Sequence, residues 1–227
     1  MANRGPRLVI LGKQGAGKGT QCVRLSRHYE IPHISSGDMF RAELKSGSEV
    51  GARLHEFMKE GELIPDDVVI ELVVHRLEKD HTNETGFILD GFPRTTTQAE
   101  ALFAFLDTWA ELDMAIDLQV PTDVVLRRLA GRRVCETCGQ NYGLGRVPVQ
   151  AGTCDLCGGA VVQRDDDTEE AISRRLRLYE QETEPLIAWY LQRDKLVTVD
   201  GLNEPDVVTA RLVRAIDRRL DQKEADG

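Results

Sequence analysis

The sequence predicts an α/β fold, in which a doubly wound parallel sheet of five strands carries helices on both faces. Three observations support this prediction. Short runs of consecutive apolar residues, typical of strands buried on both faces, alternate with longer segments that have the periodicity of amphipathic helices. A glycine-rich segment joins the first apolar run to the first helical segment. The length of 227 residues, 41% of them hydrophobic, suits one core with insertions.

Five apolar runs are the predicted strands, at 8–11, 31–34, 87–89, 115–120 and 196–199. Helices are predicted at 19–29, 66–79, 96–106, 122–131, 168 to about 192, and 204–220. Cys22 lies on the apolar face of the first helix and is interpreted as a packed core thiol. Asp167, with Glu170 three residues later, predicts a capping box at the start of the long helix. Pro185 should kink or divide that helix, because proline has no N–H to donate.

Two stretches interrupt the alternation and are interpreted as insertions. Residues 35–64 have a helical pattern punctuated by Gly47, Gly51 and Gly61. Residues 132–167 carry four of the five cysteines and should have little apolar core of their own. The sequence therefore predicts a discontinuous core of 1–34, 65–131 and 168–227, with insertions at 35–64 and 132–167.

Charge and hydropathy exclude several classes of protein. The formal net charge is −9, from 29 basic and 38 acidic residues, whereas a general nucleic-acid binder should be basic. No apolar run approaches the roughly 18 residues of a membrane-spanning helix. The short apolar run at 8–11 is also too small for the core of a signal peptide. We therefore expect a cytoplasmic protein with no nucleic-acid or membrane partner.

A phosphate-binding loop is predicted directly after the first strand. Its sequence is Gly12-Lys13-Gln14-Gly15-Ala16-Gly17-Lys18-Gly19-Thr20. Glycines let backbone N–H groups converge on a phosphate, the helix N-terminus adds a positive dipole, and Lys18 would reach the outer phosphates. Because Gly19 follows the lysine, the hydroxyl of Thr20 comes one position late for direct ligation of Mg²⁺. The alternative is a glycine-rich turn that binds no ligand.

A second motif, Asp90-Gly91-Phe92-Pro93-Arg94, ends the third strand. It places a carboxylate at the carboxyl edge of the sheet, where α/β folds bind ligands. Asp90 could orient water on Mg²⁺, or it could cap a helix at the end of the strand. Arg94, close to a phosphate-binding loop, favours the functional interpretation.

The cysteines form two Cys-x-x-Cys pairs, Cys135/Cys138 and Cys154/Cys157, each followed by glycine. Two such knuckles can gather four thiolates around Zn²⁺, and a closed shell of four thiolates would make the metal structural. A pair of disulfides, disfavoured in a cytoplasmic chain, and an iron–sulfur cluster are the alternatives. None of the five histidines has the spacing of a metal ligand, so packing or surface roles are expected for all of them.

Together these motifs resemble those of adenylate kinases of the long-lid, zinc-bearing type, over about residues 8–220. The matching segments are 15–20, Ser35-Ser36-Gly37-Asp38, Asp90-Gly91-Phe92-Pro93-Arg94, Gly131-Arg132-Arg133 and Arg164-Asp165-Asp166-Asp167. The resemblance implies a P-loop NTPase type of fold with a nucleoside-monophosphate (NMP) binding module at 35–64 and a zinc-binding lid at 132–167. It implies reversible phosphoryl transfer from ATP to AMP, giving two ADP, with Mg²⁺ and lid closure that excludes water. The usual state of the family is a monomer.

The resemblance also implies roles for individual residues. The catalytic residues would be Lys18, Asp90, Arg94, Arg128, Arg132, Arg164 and Arg175. ATP would contact Gly15, Ala16, Gly17, Lys18, Gly19, Thr20, Arg132, Asn141, Tyr142 and Asn203. AMP would contact Ser36, Arg41, Glu62, Leu63, Ile64, Gly91, Phe92, Pro93, Arg94, Gln98, Arg164 and Arg175. The Gln98 amide would read the adenine edge. Ser36 stands where threonine is commoner, and Glu62, where many members have a basic residue, would act through its backbone.

Two other functions remain open. One is a nucleoside-monophosphate kinase with another acceptor, such as UMP or CMP, which the long lid and Gln98 disfavour. The other is a zinc-ribbon binding module in which the phosphate-binding loop serves as a nucleotide switch. The acidic charge and the scarcity of aromatic residues in the knuckles argue against nucleic-acid binding by such a module.

Overall fold

A computed structural model describes residues 5–46, 62–80, 82–108, 111–143, 147–164 and 167–226, together with Leu54, Phe57 and Glu60. Its strands are β1 (Arg7–Leu11), β2 (His33–Ser35), β3 (Phe87–Asp90), β4 (Met114–Gln119), β5 (Arg133–Cys135), β6 (Asn141–Tyr142), β7 (Val161–Val162) and β8 (Leu196–Asp200). Five of them form a sheet in the order β2-β3-β1-β4-β8, and every neighbouring pair is parallel. The predicted five-stranded parallel sheet is confirmed.

The helices are α1 (Lys18–Tyr29), α2 (Ser36–Ser46), α3 (Asp66–Lys79), α4 (Thr82–Thr85), α5 (Thr96–Leu106), α6 (Thr122–Ala130), α7 (Glu169–Leu178), α8 (Pro185–Leu191) and α9 (Pro205–Asp226). A π-helical turn, Tyr179–Thr183, separates α7 from α8, and Pro185 is the first residue of α8. The predicted division of the long helix at Pro185 is therefore confirmed.

Alternating side chains of the strands build two apolar cores, one on each face of the sheet. Leu8, Ile10 and Ile116 pack on one face with residues of α1, α6, α7 and α9. Val9 and Leu89 pack on the other with residues of α2, α3, α5 and α8. The doubly wound arrangement predicted from the apolar runs is confirmed, and Cys22 is fully buried in the first of these cores, as expected.

Three local predictions are corrected. The strand predicted at 31–34 is displaced, because β2 pairs with β3 only from His33 to Ser35. The cap of α7 is Thr168, whose hydroxyl accepts from the N–H of Ala171 at 3.1 Å, and not Asp167, whose carboxylate forms an ion pair with Arg132. The last helix continues to Asp226.

The two predicted insertions differ in structure. Residues 133–162 contain a separate antiparallel sheet in the order β6-β5-β7. The stretch 35–64 contains α2, followed by Leu54, Phe57 and Glu60 in helical conformation. The predicted glycine punctuation at Gly47, Gly51 and Gly61 lies outside the described residues, as do Asp165 and Asp166. No helix among the described ranges is long and apolar enough to cross a membrane.

Candidate functional site

The carboxyl ends of β1, β2 and β3 meet at one edge of the sheet because the strands are parallel. The chain leaves β1 there through the glycine-rich loop. Gly12 and Gly15 have φ angles of 138° and 82°, in the left-handed region that favours glycine. A Cβ at Gly12 would lie 2.7 Å from the Leu118 carbonyl oxygen, and one at Gly15 would lie 2.8 Å from Leu129 Cγ. The loop therefore packs closely against β4 and α6, and larger residues at these two positions would clash with them.

Helix α1 opens directly from this loop and aims its N-terminus at the same edge. Its N-cap, Gly17, has no side chain that could occupy the first N–H groups, so they are available to an anion. The Lys18 ammonium curls back over the loop, donating to the Gly12 carbonyl at 2.6 Å and to the Lys13 carbonyl at 3.0 Å. Burial lowers the pKa of Lys18, while the nearby Asp90 opposes that shift.

Asp90 ends β3 beside this lysine. Burial by itself would raise the pKa of Asp90, but the neighbouring His33 imidazole and the charges of Lys18 and Arg94 outweigh it, so the pKa lies below its ordinary value. Asp90 is therefore an anion among cations. The His33 Nε2 atom lies 3.6 Å from Asp90 Oδ2, slightly beyond hydrogen-bond distance.

The segment after Asp90 packs against the start of α2. The Ser36 hydroxyl donates to the Gly91 carbonyl at 2.8 Å, and Arg94 Nε donates to the same carbonyl at 2.9 Å. The peptide between Phe92 and Pro93 is cis, and Phe92 is buried in the second core. These contacts turn the Arg94 side chain back towards the sheet edge.

Gln98 is buried below this segment, and both ends of its amide have protein partners. Its Nε2 donates to Asp66 Oδ1 at 2.7 Å, and its Oε1 accepts from the backbone N–H of Arg94 at 2.8 Å. Asp66 also accepts from the Thr95 hydroxyl at 2.8 Å. Sequence reasoning missed Asp66, because an acidic residue at a helix N-terminus is sufficiently explained by the helix dipole.

Three of the predicted arginines crowd around the sheet edge. Burial lowers the pKa of Arg94, and the positive charges of Arg175 and Arg41 lower it further, whereas Asp90 raises it. Neighbouring cations repel one another unless an anion lies between them, so this partly buried group is suited to hold a phosphate. Arg41 forms an ion pair with Asp38 at 2.5 Å.

The other arginines surround the glycine-rich loop. Arg128 donates to the Ala16 carbonyl at 2.9 Å and to the Gly201 carbonyl at 3.4 Å. Arg132 forms a two-pronged ion pair with the buried Asp167, one bond of which, from Nε to Oδ2, measures 2.7 Å.

Gln14 joins two of these cations. In the amide orientation that satisfies its hydrogen bonds, its Oε1 accepts from Arg132 Nη2 at 3.1 Å and from Arg175 Nη1 at 3.0 Å. Sequence reasoning missed Gln14 and Asp167 as functional residues. No local signal could have identified these contacts, since the partners are far apart in the chain.

The remaining predicted nucleotide contacts lie in different surroundings. Tyr142 is 4% exposed, and its hydroxyl lies within the cysteine cluster described below. Asn141 accepts from Arg164 Nη2 at 3.2 Å. Asn203 is exposed in the β8–α9 loop, with a φ of 104°.

The residues predicted around the AMP base are divided between the surface and the core. Glu62 is half exposed and pairs with Arg174 at 3.1 Å. Ile64 is buried in the second core, and Leu63 is partly buried.

The four cysteines of the 132–167 insertion form one cluster. Cys135 Sγ lies 3.5 Å from Cys157 Sγ, and Cys138 Sγ lies 3.6 Å from Cys154 Sγ. All four sulfur atoms lie within 4.8 Å of one another, and all are free thiols. Tetrahedral Zn²⁺ with bonds of about 2.3 Å separates its sulfur ligands by about 3.8 Å, so the cluster has the dimensions of a zinc site.

The backbone of the two knuckles repeats. The Cys135 N–H donates to the Gln140 carbonyl at 2.9 Å, and the Gly139 N–H donates to the Cys135 carbonyl at 3.0 Å. The same two bonds recur at Cys154, at 2.8 and 2.9 Å. Gly139 and Gly158 share a left-handed φ, of 74° and 73°. This repetition gives the cluster an approximate twofold symmetry, which is suited to a single central ion.

Tyr142 completes the cluster. Its hydroxyl donates to Cys154 Sγ at 3.3 Å and accepts from the Asp155 N–H at 2.8 Å. The bond from Tyr142 lowers the pKa of the Cys154 thiol to about 6, towards the thiolate that zinc binds. The donor set and the spacing are therefore compatible with zinc.

The parallel sheet, the glycine-rich loop at its carboxyl edge and the surrounding cations define a P-loop nucleotide-binding protein. A family model described as Adenylate kinase matches residues 10–195. The chain is also 46% identical over 212 residues to the adenylate kinase of Alkaliphilus oremlandii, covering 92% of this chain and 98% of that protein. The chain belongs to the adenylate kinase family, as the motifs predicted.

Two further relatives agree with this assignment. The adenylate kinase of Moorella thermoacetica is 46% identical over 214 residues, with 93% of this chain and 98% of that protein covered. The adenylate kinase of Caldicellulosiruptor saccharolyticus is 44% identical over 212 residues, with 92% and 98% covered. Each similarity spans both insertions as well as the sheet.

Proposed function

We propose that this protein catalyses reversible, Mg²⁺-dependent transfer of the terminal phosphoryl group of ATP to AMP, giving two ADP. The observation that carries the proposal is the convergence of two groups of cations at one sheet edge. Lys18, Arg128 and Arg132 surround the P-loop, and the charge of Arg94 interacts with those of Arg41, Arg175 and Asp90. Gln14 joins the two groups through Arg132 and Arg175. Two phosphate-bearing substrates brought together require two such groups.

On the donor side, we assign the ATP phosphates to the loop 15–20. Its N–H groups would bind the phosphate oxygens while Lys18 releases the carbonyls that it now contacts. Arg128 and Arg132 would hold the outer phosphates, and Asn203 would lie beside the base. Asn141 would contact ATP from the lid. We assign Tyr142 to the support of Cys154 instead, because its ring is buried and both hydroxyl hydrogen bonds have partners.

On the acceptor side, we assign the AMP phosphate to Arg41 and Arg94. Ser36 and the segment 91–93 would form the wall beside it, and Leu63 and Ile64 would pack against the base. Gln98 would read the adenine edge after exchanging its bond with Asp66 for one with the base. Glu62 would contribute its backbone, since its carboxylate faces Arg174.

The transfer itself needs no covalent intermediate with the protein. Donor and acceptor oxygens must lie in line, and the charge on the moving group must be neutralised. Arg132, Arg164 and Arg175 would supply that neutralisation. Mg²⁺, when bound with ATP, would withdraw charge from the phosphates, and Asp90 would hold the water around it. An anionic Asp90 suits this role.

The insertion at 132–167 would act as a lid held by structural Zn²⁺, and the stretch 35–64 as the NMP-binding module on the core 1–34, 65–131 and 168–227. Closure of the lid would exclude water, which protects ATP from hydrolysis. Arg132 and Arg164 flank the stretch of the insertion that contains the cysteines, and they contact Asp167 and Asn141 respectively. We further propose a monomer that works in the cytoplasm.

An acceptor panel tests the reaction and its specificity. Purified protein is mixed with ATP and AMP, CMP or UMP, with and without Mg²⁺, and nucleoside diphosphates are measured. We expect transfer to AMP that far exceeds the other two and requires Mg²⁺. Equal rates with the three acceptors would indicate a less specific nucleoside-monophosphate kinase. ATP binding without transfer to any acceptor would favour the switch module. Lys18→Met provides the inactive control.

A further inference from the structure

A second group of potential metal ligands lies around Asp90, near the carboxyl edge of the sheet. It consists of the Cys22 thiol on α1, the His33 imidazole on β2 and the Asp90 carboxylate at the end of β3. The three ligand atoms lie within 4.8 Å of one another. Two strands of the sheet and helix α1 carry these three residues, so their positions do not depend on a loop.

The hydrogen bonding of the His33 imidazole indicates that this site can accept a ligand. Its Nε2 atom is buried and has no hydrogen-bond partner among the described residues. The nearest acceptor, Asp90 Oδ2, lies 3.6 Å away. A buried ring nitrogen without a partner costs free energy, so the site favours a group that bridges His33 to its neighbours.

The dimensions fit a tetrahedral metal ion. Bonds of about 2.1 Å from Zn²⁺ to an imidazole nitrogen and a carboxylate oxygen imply an N···O separation of about 3.4 Å. The observed 3.6 Å between His33 Nε2 and Asp90 Oδ2 is close to this value. The third ligand, Cys22, is fully buried. Three protein ligands would leave the fourth position of a tetrahedral ion to water.

We propose that Cys22, His33 and Asp90 form an inhibitory binding site for a thiophilic divalent cation such as Zn²⁺ or Cd²⁺. The set of one sulfur, one nitrogen and one oxygen selects these ions against Mg²⁺, which prefers six oxygen ligands. On binding, the sulfur–metal bond replaces the S–H bond of Cys22, and the proton is released to solvent.

Occupancy would stop phosphoryl transfer through Asp90, a consequence that rests on the proposed function. A carboxylate bound to Zn²⁺ cannot hold water around Mg²⁺. The added positive charge also lies close to Lys18, whose charge already interacts with Asp90. We expect the ion to lower kcat, because Asp90 is the residue assigned to the water around Mg²⁺.

The binding arm of the test does not depend on activity. Protein carrying zinc in the four-cysteine site is titrated with Co²⁺, and the thiolate-to-cobalt absorption is followed. We expect about one additional equivalent to bind in the wild type and the sulfur-dependent absorption to disappear in Cys22→Ser. His33→Gln should weaken binding at least tenfold. Identical spectra for the wild type and Cys22→Ser would overturn the proposal.

The activity arm uses buffered free Zn²⁺ under saturating ATP, AMP and Mg²⁺. Cys22→Ser should need at least tenfold more Zn²⁺ for half-inhibition than the wild type. His75→Gln, an exposed histidine on α3, is the matched control and should match the wild type. Equal zinc sensitivity of all three proteins would contradict the proposal. If cobalt binds but the protein transfers no phosphoryl group to any acceptor, the proposed function fails and the metal site stands.

Since Cys22 is buried, a substitution there could perturb the fold. Cys22→Ala and His33→Gln are therefore measured alongside, with a melting curve for each. Loss of the cobalt signal in both variants at an unchanged melting temperature supports the site. Retention of the full signal in both would exclude it.

Discussion

Backbone carbonyls and a carboxylate hold two of the proposed phosphate-binding arginines in place when no phosphate is bound. Arg128 contacts backbone carbonyls, and Arg132 contacts the carboxylate of Asp167. These acceptors satisfy the hydrogen-bond donors of the guanidinium groups, which stay protonated. When a nucleotide binds, its phosphate oxygens would replace these acceptors, and the arginine side chains would need little rearrangement.

Replacement of Arg94 and of Arg164 by alanine should change different kinetic parameters. Arg94 belongs to the partly buried cation group that we assign to the AMP phosphate, so Arg94→Ala should raise KM for AMP and also lower kcat. Arg164 lies beside Asn141 near the end of the insertion that we propose as a lid, so its loss should act mainly on kcat, by about a hundredfold or more. Steady-state kinetics with varied AMP separate the two effects.

Arg127→Ala serves as the control for this pair, because Arg127 is an exposed arginine on α6 paired with Asp123. It should leave both parameters close to the wild-type values. An Arg164→Ala protein that kept kcat within a factor of about three would show that its assigned role is wrong.

Gln14 should matter for turnover although it carries no charge. Its carbonyl oxygen accepts from Arg132 and Arg175, and without it these two cations lose an acceptor that they share. Gln14→Leu should lower kcat by about three- to tenfold, which corresponds to roughly 1 kcal/mol. Gln14→Glu should restore the bridge but compete with phosphate, so KM for ATP should rise. Unchanged kinetics of both variants would remove Gln14 from the site.

The cysteine-bearing insertion at 132–167, the proposed lid, has a small apolar core. Its buried cluster consists of Cys135, Tyr142 and Cys154, with Val161 packed against it. Its strands are short, and Leu156 and Val149 at its surface are exposed. A core this small cannot stabilise a module of this size without a cross-link such as a bound metal or a disulfide. The thiolate cluster is the group available for that purpose.

Removal of the metal should therefore destabilise the lid before it affects the chemistry. Structural zinc can contribute about 10 kcal/mol or more to a small module, because the thiolates are not gathered when the module is unfolded. We expect chelation, or Cys154→Ser, to lower the melting temperature, with part of the transfer activity remaining at low temperature. Tyr142→Phe should retain zinc less tightly, since it loses the bond to Cys154.

Melting curves and activity of zinc-loaded and stripped protein measure this effect. An unchanged melting curve, combined with immediate and complete loss of transfer at low temperature, would show that the metal is catalytic and that the structural assignment is wrong.

At the scale of the whole molecule, a small network of ion pairs and hydrogen bonds connects the last helix, α9, to the sheet. Lys223 of α9 pairs with Glu111 at 2.9 Å and with Asp113 at 3.0 Å. Lys195, just before β8, pairs with the same Glu111 at 2.5 Å. Asp113 in turn accepts from the N–H of Arg7 in β1 at 2.8 Å. The network thus connects α9, β1 and the segments that precede β4 and β8.

This network predicts a specific dependence of stability on pH. The bonds from Lys195 and Lys223 lower the pKa of Glu111 from 4.5 to about 2. A carboxyl with a depressed pKa stabilises the fold above its ordinary pKa, and this contribution disappears as the pH falls from about 4.5 towards 2. Because Glu111 is largely exposed, solvent and salt reduce the effect to about 0.5–1 kcal/mol.

Glu111→Gln should therefore lower the melting temperature by about 1–3 °C at pH 7 and low salt. The difference from the wild type should shrink below about pH 4.5 and approach zero near pH 2. Glu100→Gln, an exposed substitution on α5, is the control for a general change of charge. A difference that grows as the pH falls would contradict this account.

Much of the fold and of the proposed site was readable from local patterns in the sequence. Three motifs have all their functional residues within a few positions of one another: the loop 12–20, the motif that ends in Arg94, and the paired cysteine knuckles. The spacing of residues in such a motif is enough to indicate phosphate or metal binding. The five buried strands were readable for a similar reason, since a strand with both faces in the core must be apolar along its length.

Only the tertiary structure decided which distant side chains meet. Asp167 was predicted to cap a helix, but it pairs with Arg132 in the folded chain. Gln14 joins Arg132 to Arg175, and Cys22, His33 and Asp90 converge from three elements. The strand order β2-β3-β1-β4-β8 produces these meetings, because it brings segments that are far apart in sequence to one edge of the sheet. Local patterns reflect contacts along the chain, and through-space contacts arise only after the sheet has assembled.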